Sequence, residues 1–195
     1  MPRRAKLRPD EPGRGKVLEA GLELFGERGY HATSIADIGE RAGIAKSVLY
    51  HYFGSKAGLY EAIAESQTGA LLERVEAAVP ADPNAARLRA GVDAYLAFLA
   101  DRPATWRLLL RDPPVDPALV EVHQRLADRR SAALATLLAA PAKRKQAGPH
   151  VELVATAIRA FATWWYAHRE VPRDQVTEAI LDVARAGAQR LDLER

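Results

Sequence analysis

The 195-residue sequence predicts an all-α fold of about nine helices. Three observations lead there. Hydrophobic residues make up 48% of the chain but aromatics only 7%, and much of the remainder is Ala and Leu, both strong helix formers. Apolar residues recur at three- and four-residue spacing between short segments rich in Gly, Pro, Asp and Asn. No run of β-branched residues alternates with a period of two, the mark of a half-buried strand.

The elements follow in order. Residues 1–13 scatter Pro2, Pro9, Pro12 and Gly13 among Arg3, Arg4, Lys6 and Arg8 and read as a basic flexible arm. From Arg14 to Arg28, Val17, Leu18, Gly21, Leu22, Leu24 and Phe25 repeat along a helical face until Gly29 ends the pattern. Ser34 and Asp37 form a Ser-x-x-Asp capping box that opens a short helix with Ile35, Ile38 and Ala42 inward, closed by Gly43. A third helix runs from Lys46 to Tyr52 and breaks at Gly54. Ser55 caps a long helix from Lys56 to Val79 with Leu59, Ile63, Leu71, Leu72 and Val75 as its apolar contacts. Turns at 80–84, 101–103 and 112–117 leave helices at 85–100, 104–111 and 117–140. Residues 141–149 read as a linker, and helices at 150–169 and 173–192 flank Pro172. The expected organisation is an arm (1–13), a first helical domain (14–60) and a second (61–195).

Composition removes several classes of function. Cysteine is absent, which excludes a disulfide scaffold, a Cys-ligated metal and a thiol nucleophile. The five histidines show no metal-ligand spacing, and no Gly-rich phosphate loop or Gly-x-Ser-x-Gly turn occurs. No cofactor is expected, and the chain does not read as an enzyme. No secretory signal and no apolar stretch of about 18 residues is present, so a cytoplasmic protein with no membrane partner is expected. The net charge is only +3, but residues 1–60 hold 10 Lys and Arg against 7 Asp and Glu, while residues 61–195 hold 18 of each. The whole excess lies in the first third of the chain.

That first third carries the sharpest pattern. Two short helices joined at Ala42-Gly43-Ile44 form a helix-turn-helix. Gly43 suits the left-handed backbone of the turn, and Gly39 leaves room for a close crossing. On the second helix Leu49, Tyr52 and Phe53 turn inward, whereas Lys46, Ser47, Tyr50 and His51 share the other face. That face suits double-stranded DNA: a Lys for phosphate or guanine, two rings with polar tips, and a hydroxyl that donates or accepts. Thr33 and Ser34 stand at a helix start whose N–H groups point outward, and Lys56 stands at the next, both natural seats for phosphate.

The stretch from Gly21-Leu-Glu-Leu-Phe25 through Thr33-Ser-Ile-Ala-Asp-Ile38, Arg41-Ala-Gly-Ile44, Lys46-Ser-Val-Leu-Tyr-His-Tyr-Phe53 and Ser55-Lys-Ala-Gly-Leu-Tyr60 resembles the DNA-binding domain of the tetracycline repressor (TetR) family. The resemblance spans residues 14–60 and implies an all-helical homodimer that represses transcription. Each subunit would read half of a palindromic operator, and a C-terminal pocket would take a small hydrophobic effector and release the DNA. By position it places Lys46, Ser47, Val48, Tyr50 and His51 on the recognition helix and Thr33, Ser34 and Lys56 on phosphates. Three residues depart from the family's habit. Ala45 stands where a capping Ser or Thr is usual, a difference of about 1 kcal/mol in helix initiation. Ser47 stands for a common Gly, and Gly39 for a common Ala.

Beyond residue 60 the reading rests on pattern. The helix near 150–169 has two adjoining apolar stripes, Val154, Ile158, Phe161 and Trp165 beside Leu153, Ala157, Ala160 and Trp164, more than one core contact requires. With Val176, Ile180, Val183 and Gly187 of the last helix, Val154 and Ile158 are the expected dimer interface, a four-helix seam. The candidate pocket walls are Tyr95, Phe98, Trp106, Leu110, His123, Phe161, Trp164 and Trp165, with Arg107 and Arg159 as charges near them. The same rings serve equally as core or seam. Lys143, Arg144 and Lys145 read as solubilising charge in the linker. The rival from another class is a helical ligand carrier or scaffold, which has no use for a cationic head with the Lys46–His51 face.

Overall fold

Gly29 divides the first helical segment. Its φ of 80° lies in the left-handed region that favours glycine, so the regular helix from Arg14 stops there and a short turn to Ala32 follows. The computed structural model describes residues 13–80, 86–111, 116–138 and 148–193. Its helices are α1 (Arg14–Ala32), α2 (Ile35–Ala42), α3 (Lys46–Phe53), α4 (Lys56–Ala78), α5 (Ala86–Asp101), α6 (Pro103–Trp106), α7 (Pro117–Leu138), α8 (Gly148–Ala167) and α9 (Arg173–Leu193). Among the described residues there is no strand, and the fold is all-α with an N-terminal helix-turn-helix and a C-terminal bundle. The arm up to residue 12, most of the linker and the Lys143–Lys145 run lie outside the described residues.

One element differs from its expected form. The segment expected as a single helix at 104–111 is the short α6 followed by a π-helical turn, Arg107–Arg111. The wider turn lets successive leucines pack: Leu108 and Leu109 are both buried and Leu110 is half-buried.

Two hydrophobic cores hold the chain. The first gathers Val17, Leu24, Phe25, Ile35, Ile38, Leu49, Leu59, Tyr60 and Ile63, and it continues into Leu108 and Leu109 of the π turn and Leu119, Val122 and Leu126 of α7. Helix α1 reaches the same region by close approach. A Cβ on Gly26 would stand 2.9 Å from both the Cα and the Cβ of Ala104 on α6, so α1 and α6 meet with no side chain between them at that point. The second core joins Leu71, Val92, Leu96, Phe98, Leu99 and Trp106 to Val154, Ile158, Ala162, Trp165, Val176 and Ile180. Ion pairs on the surface tie the bundle together: Arg173 to Asp93 at 2.8 Å, Arg89 to Glu178, and Arg125 to Glu61 and Glu65 at 2.6 and 3.1 Å. Pairs this exposed each contribute at most about 1 kcal/mol.

The second core corrects the expected dimer seam. Val154, Ile158, Val176 and Ile180 are 7% exposed or less, because this stripe of α8 packs on α5 and α9 within the same chain. Val183 is half-buried, and the surroundings of Gly187 lie outside the description. The other stripe of α8 faces out. Leu153 is 52% exposed and Trp164 45% exposed, with Ala160 exposed and Ala157 half-buried along the same line.

Candidate nucleic-acid interface and cavity

The helix-turn-helix is assembled from local chemistry. The Ser34 hydroxyl accepts from the Asp37 N–H at 3.1 Å, and the Asp37 carboxylate accepts from the Ser34 N–H at 2.9 Å, a complete capping box at the start of α2. Those bonds hold the Asp37 carboxyl below its ordinary pKa, the Ser34 N–H contributing most. At the far end of α2, Gly43 has a φ of 67° and lets the chain reverse. The Ile44 N–H then donates to the Gly39 carbonyl at 2.8 Å. A Cβ on Gly39 would lie 2.7 Å from the Ile44 carbonyl oxygen, so the space this glycine leaves is filled by the turn itself.

Helix α3 starts at Ala45 with no side-chain cap. Leu49 is fully buried and fixes the rotation of α3 in the head. Lys46, Ser47, Tyr50 and His51 therefore project outward, Tyr50 at 44% exposure, with Val48 half-buried at the edge of the face. The Lys46 ammonium lies 5.7 Å from the Tyr50 ring centroid, so the cation and the ring occupy one patch.

Thr33 and Lys56 need correcting. Thr33 is 1% exposed, and its single hydroxyl proton is shared between the carbonyls of Gly29 at 2.8 Å and Leu24 at 3.1 Å. It ties the chain after the break at Gly29 back to α1, and its side chain is turned away from any phosphate. Lys56 donates to the carbonyls of Tyr30 at 2.8 Å and Thr33 at 2.9 Å, with its ammonium 4.3 Å from the Tyr30 ring centroid. Two of its three donors are spent on the chain, which makes it a clamp on the α1–α2 connection. Ser34 remains exposed at the start of α2.

In the body, an inner cavity of about 70 Å³ lies among α4, α5, α7 and α8, walled by Leu72, Val75, Val92, Tyr95, Leu134 and Ile158. An open cleft of about 700 Å³ adjoins it between the π turn, α7 and α8, where Leu109, Leu110, His123, Gln124, Thr163 and Trp164 form its walls. Of the aromatics expected as walls, the structure brings Tyr95 to the cavity and Trp164 to the cleft. Phe98, Trp106 and Trp165 are core residues, each 7% exposed or less. Trp106 stacks on Tyr166 at 3.5 Å, and the Trp165 indole N–H donates to the Val171 carbonyl. Phe161 packs against the second core and borders neither space. Arg107 reaches out of the body, donating to the Gly26 carbonyl of α1 at 3.1 Å. Arg159 borders both spaces, as does Arg130, which the sequence reading missed. His123 has its pKa pushed down by burial and by the nearby Arg130 charge, and burial raises that of Tyr95. Among the described residues no cluster of His, Asp and Glu is able to hold a metal ion.

A helix-turn-helix head with a polar, cationic outer face, set on a helical bundle with an internal cavity, defines a DNA-binding regulator. Comparison with known proteins agrees. Residues 17–63 match the family described as bacterial regulatory proteins, tetR family, and residues 85–187 match the tetracyclin repressor-like C-terminal domain. The chain belongs to the tetR family of transcriptional regulators. It is 29% identical over 198 residues, 99% of this chain and 90% of the relative, to the HTH-type transcriptional activator FasR of Mycolicibacterium smegmatis. It is 49% identical over 43 residues, 22% of each chain, to the HTH-type transcriptional repressor KstR2 of Mycobacterium tuberculosis. The crystal structure of a TetR-like transcriptional regulator from Rhodococcus sp. RHA1 superposes with a TM-score of 0.75 at 27% identity, covering 93% of this chain and 99% of that one. The family is one of DNA-binding regulators, not enzymes, and no helix among the described residues is long and apolar enough to cross a membrane.

Proposed function

We propose that this protein is a cytoplasmic repressor that binds a palindromic operator as a homodimer and leaves it when a small hydrophobic effector enters the body. The observation that carries this reading is the rotation of α3, where buried Leu49 turns Lys46, Ser47, Tyr50 and His51 outward together. Two such helices enter successive major grooves about 34 Å apart when the subunits are related by a two-fold axis. The exposed stripe of Leu153, Ala157, Ala160 and Trp164 on α8 supplies the apolar surface for that pairing. Ser34 and the open N–H groups of α2 meet phosphate.

The π turn supports a route from body to head. It walls the cleft with Leu109 and Leu110, receives the Tyr60 hydroxyl on the Leu108 carbonyl, and sends Arg107 to the Gly26 carbonyl of α1. An effector that prefers a different head separation by about 1.4 kcal/mol weakens operator binding tenfold. The test is selection of bound DNA from a random pool by the purified protein, followed by gel shift. A palindrome with half-sites one helical turn apart is expected, and recovery of no sequence preference would sink the reading in favour of a carrier or scaffold.

A second reading is activation. It is favoured by the relative that covers nearly the whole chain, whose name is that of an activator. Reporter expression from the selected site, with and without the gene for this protein, decides the sign.

A further inference from the structure

The inner cavity and the outer cleft share a wall that carries two guanidinium groups, Arg130 of α7 and Arg159 of α8. Several exposed arginines, Arg41, Arg89, Arg125, Arg173 and Arg185, pair with carboxylates. Among the described residues neither wall arginine does. Arg130 Nη1 reaches the Thr68 hydroxyl at 3.4 Å, a long contact, and Arg159 Nη2 reaches the Thr156 hydroxyl of its own helix at 3.1 Å. Both side chains are half-buried, and the charge on Arg130 is disfavoured first by burial and then by the positive charge of Arg159. An arginine does not relieve such a conflict by losing its proton. Two partly dried cations on one wall, with no carboxylate partner among the described residues, form a site whose electrostatics an anion completes.

The surroundings say what the anion is attached to. Past the arginines the cavity is lined by Leu72, Val75, Val92, Leu134 and Ile158, with no acidic side chain. The hydroxyls of Tyr95 and Ser131 are the other polar side-chain groups in this lining, and burial keeps that of Tyr95 protonated, hence able to donate. A lone inorganic anion gains nothing from the apolar walls, and a neutral hydrocarbon leaves the guanidinium groups unanswered. We propose that the cleft binds an amphiphile with an oxyanion head, carboxylate or phosphate, held between Arg130 and Arg159, with its hydrocarbon tail in the cavity behind them. This deepens the effector reading above and rests on it for the regulatory consequence, though not for the binding itself.

The test measures binding on DNA-free protein by titration calorimetry, using four probes with one tail: decanoate, decyl phosphate, decanol and decyltrimethylammonium. At least one of the two anions is expected to bind tenfold or more tightly than decanol, with the cation weakest. The ratio of decanoate to decyl phosphate identifies the preferred head. Arg159→Gln is expected to lose that tenfold and leave decanol unchanged, and Arg159→Lys to recover part of it. Thermal melting confirms that each variant folds, and Arg159→Gln alone decides the outcome if Arg130→Gln does not fold. Equal binding of decanol and both anions, full anion binding by Arg159→Gln, or inorganic phosphate binding as tightly as decyl phosphate would each overturn the proposal. Failure of the regulatory reading looks different. Arg159-dependent anion binding that leaves the operator complex intact upholds the ligand class and removes ligand-driven release. Release by decanol alone does the reverse.

Discussion

His123 Nε2 on α7 lies 2.8 Å from the hydroxyl of Tyr60 on α4, and that hydroxyl donates to the carbonyl of Leu108 in the π turn at 3.1 Å. With its proton committed to Leu108, the Tyr60 oxygen accepts from His123, which therefore carries a proton on Nε2. The ring of Tyr60 packs edge-on against Phe25 and Tyr30 of the head, with centroids 5.3 Å away in both cases. One side chain thus joins the head, the π turn and the cleft wall. Tyr60→Phe is expected to cost about 1–3 kcal/mol, because it strands the buried Leu108 carbonyl as well as His123. Urea denaturation measures the loss, and wild-type stability in the variant would remove this link from the fold.

The same histidine makes stability depend on pH. Burial, then the Arg130 charge, holds its pKa below the ordinary value of 6.5. Between 6.5 and the lower folded value the unfolded chain binds a proton that the folded chain does not. The contribution is complete above pH 6.5 and is lost as the pH falls below it. Denaturation midpoints taken between pH 8 and 5 should therefore drop more steeply in the wild type than in His123→Gln, which keeps a donor for Tyr60 without the titration. Parallel profiles would place the pH dependence elsewhere.

On the recognition helix, Tyr50→Ala and Lys46→Ala remove exposed atoms and should leave the melting temperature within a degree or two while weakening operator binding. For Lys46 the expected cost is about 1–3 kcal/mol, with altered base preference if it reads a base and a uniform loss if it holds phosphate. Leu49→Ala acts on the fold, costing about 2–5 kcal/mol through the cavity it leaves. Quantitative gel shifts beside melting curves separate the two effects, and full binding by both exposed variants would break the assignment of α3.

Lys56→Met is expected to act on stability before it acts on DNA. It frees the Tyr30 and Thr33 carbonyls, a loss of about 1–3 kcal/mol for hydrogen bonds from a charged donor. A phosphate ligand would instead lower the log–log salt slope of DNA binding by about 0.9. A variant of unchanged stability with the full slope change would restore Lys56 to the interface.

Leu153→Asp with Trp164→Glu should convert the protein to a folded monomer in sedimentation velocity, since both side chains are exposed on the subunit. Val154→Asp should unfold it, since Val154 is 3% exposed inside the subunit. A stable dimer after the first pair of changes would move the interface off this stripe.

The head was legible because its instructions are short in range. Ser34 and Asp37 cap α2 from three residues apart, Gly43 turns the chain by its own backbone, and Leu49 sits one helical turn from the residues it orients. Thr33 and Lys56 were misread because their partners are carbonyls of α1 and, for Lys56, of Thr33 just after it, which come near only once α1 has broken at Gly29. The two apolar stripes of α8 were visible, but which one the subunit keeps depends on how α5 and α9 pack on it. Arg159 was recognised as a charge near the cavity. Arg130, one of a consecutive pair on an amphipathic helix, carries no periodic sign of which member turns inward.

At Gly26 the backbones of α1 and α6 touch directly, and the Arg107 side chain pins the contact. A joint this close has no long side chain to absorb a displacement, so a shift of one helix is passed on to the other. In mechanical terms it is a fulcrum. A small tilt of α6 and its π extension would become a rotation of α1, with a displacement that would grow with distance along the head toward α3. Gly26→Ala would wedge the fulcrum open.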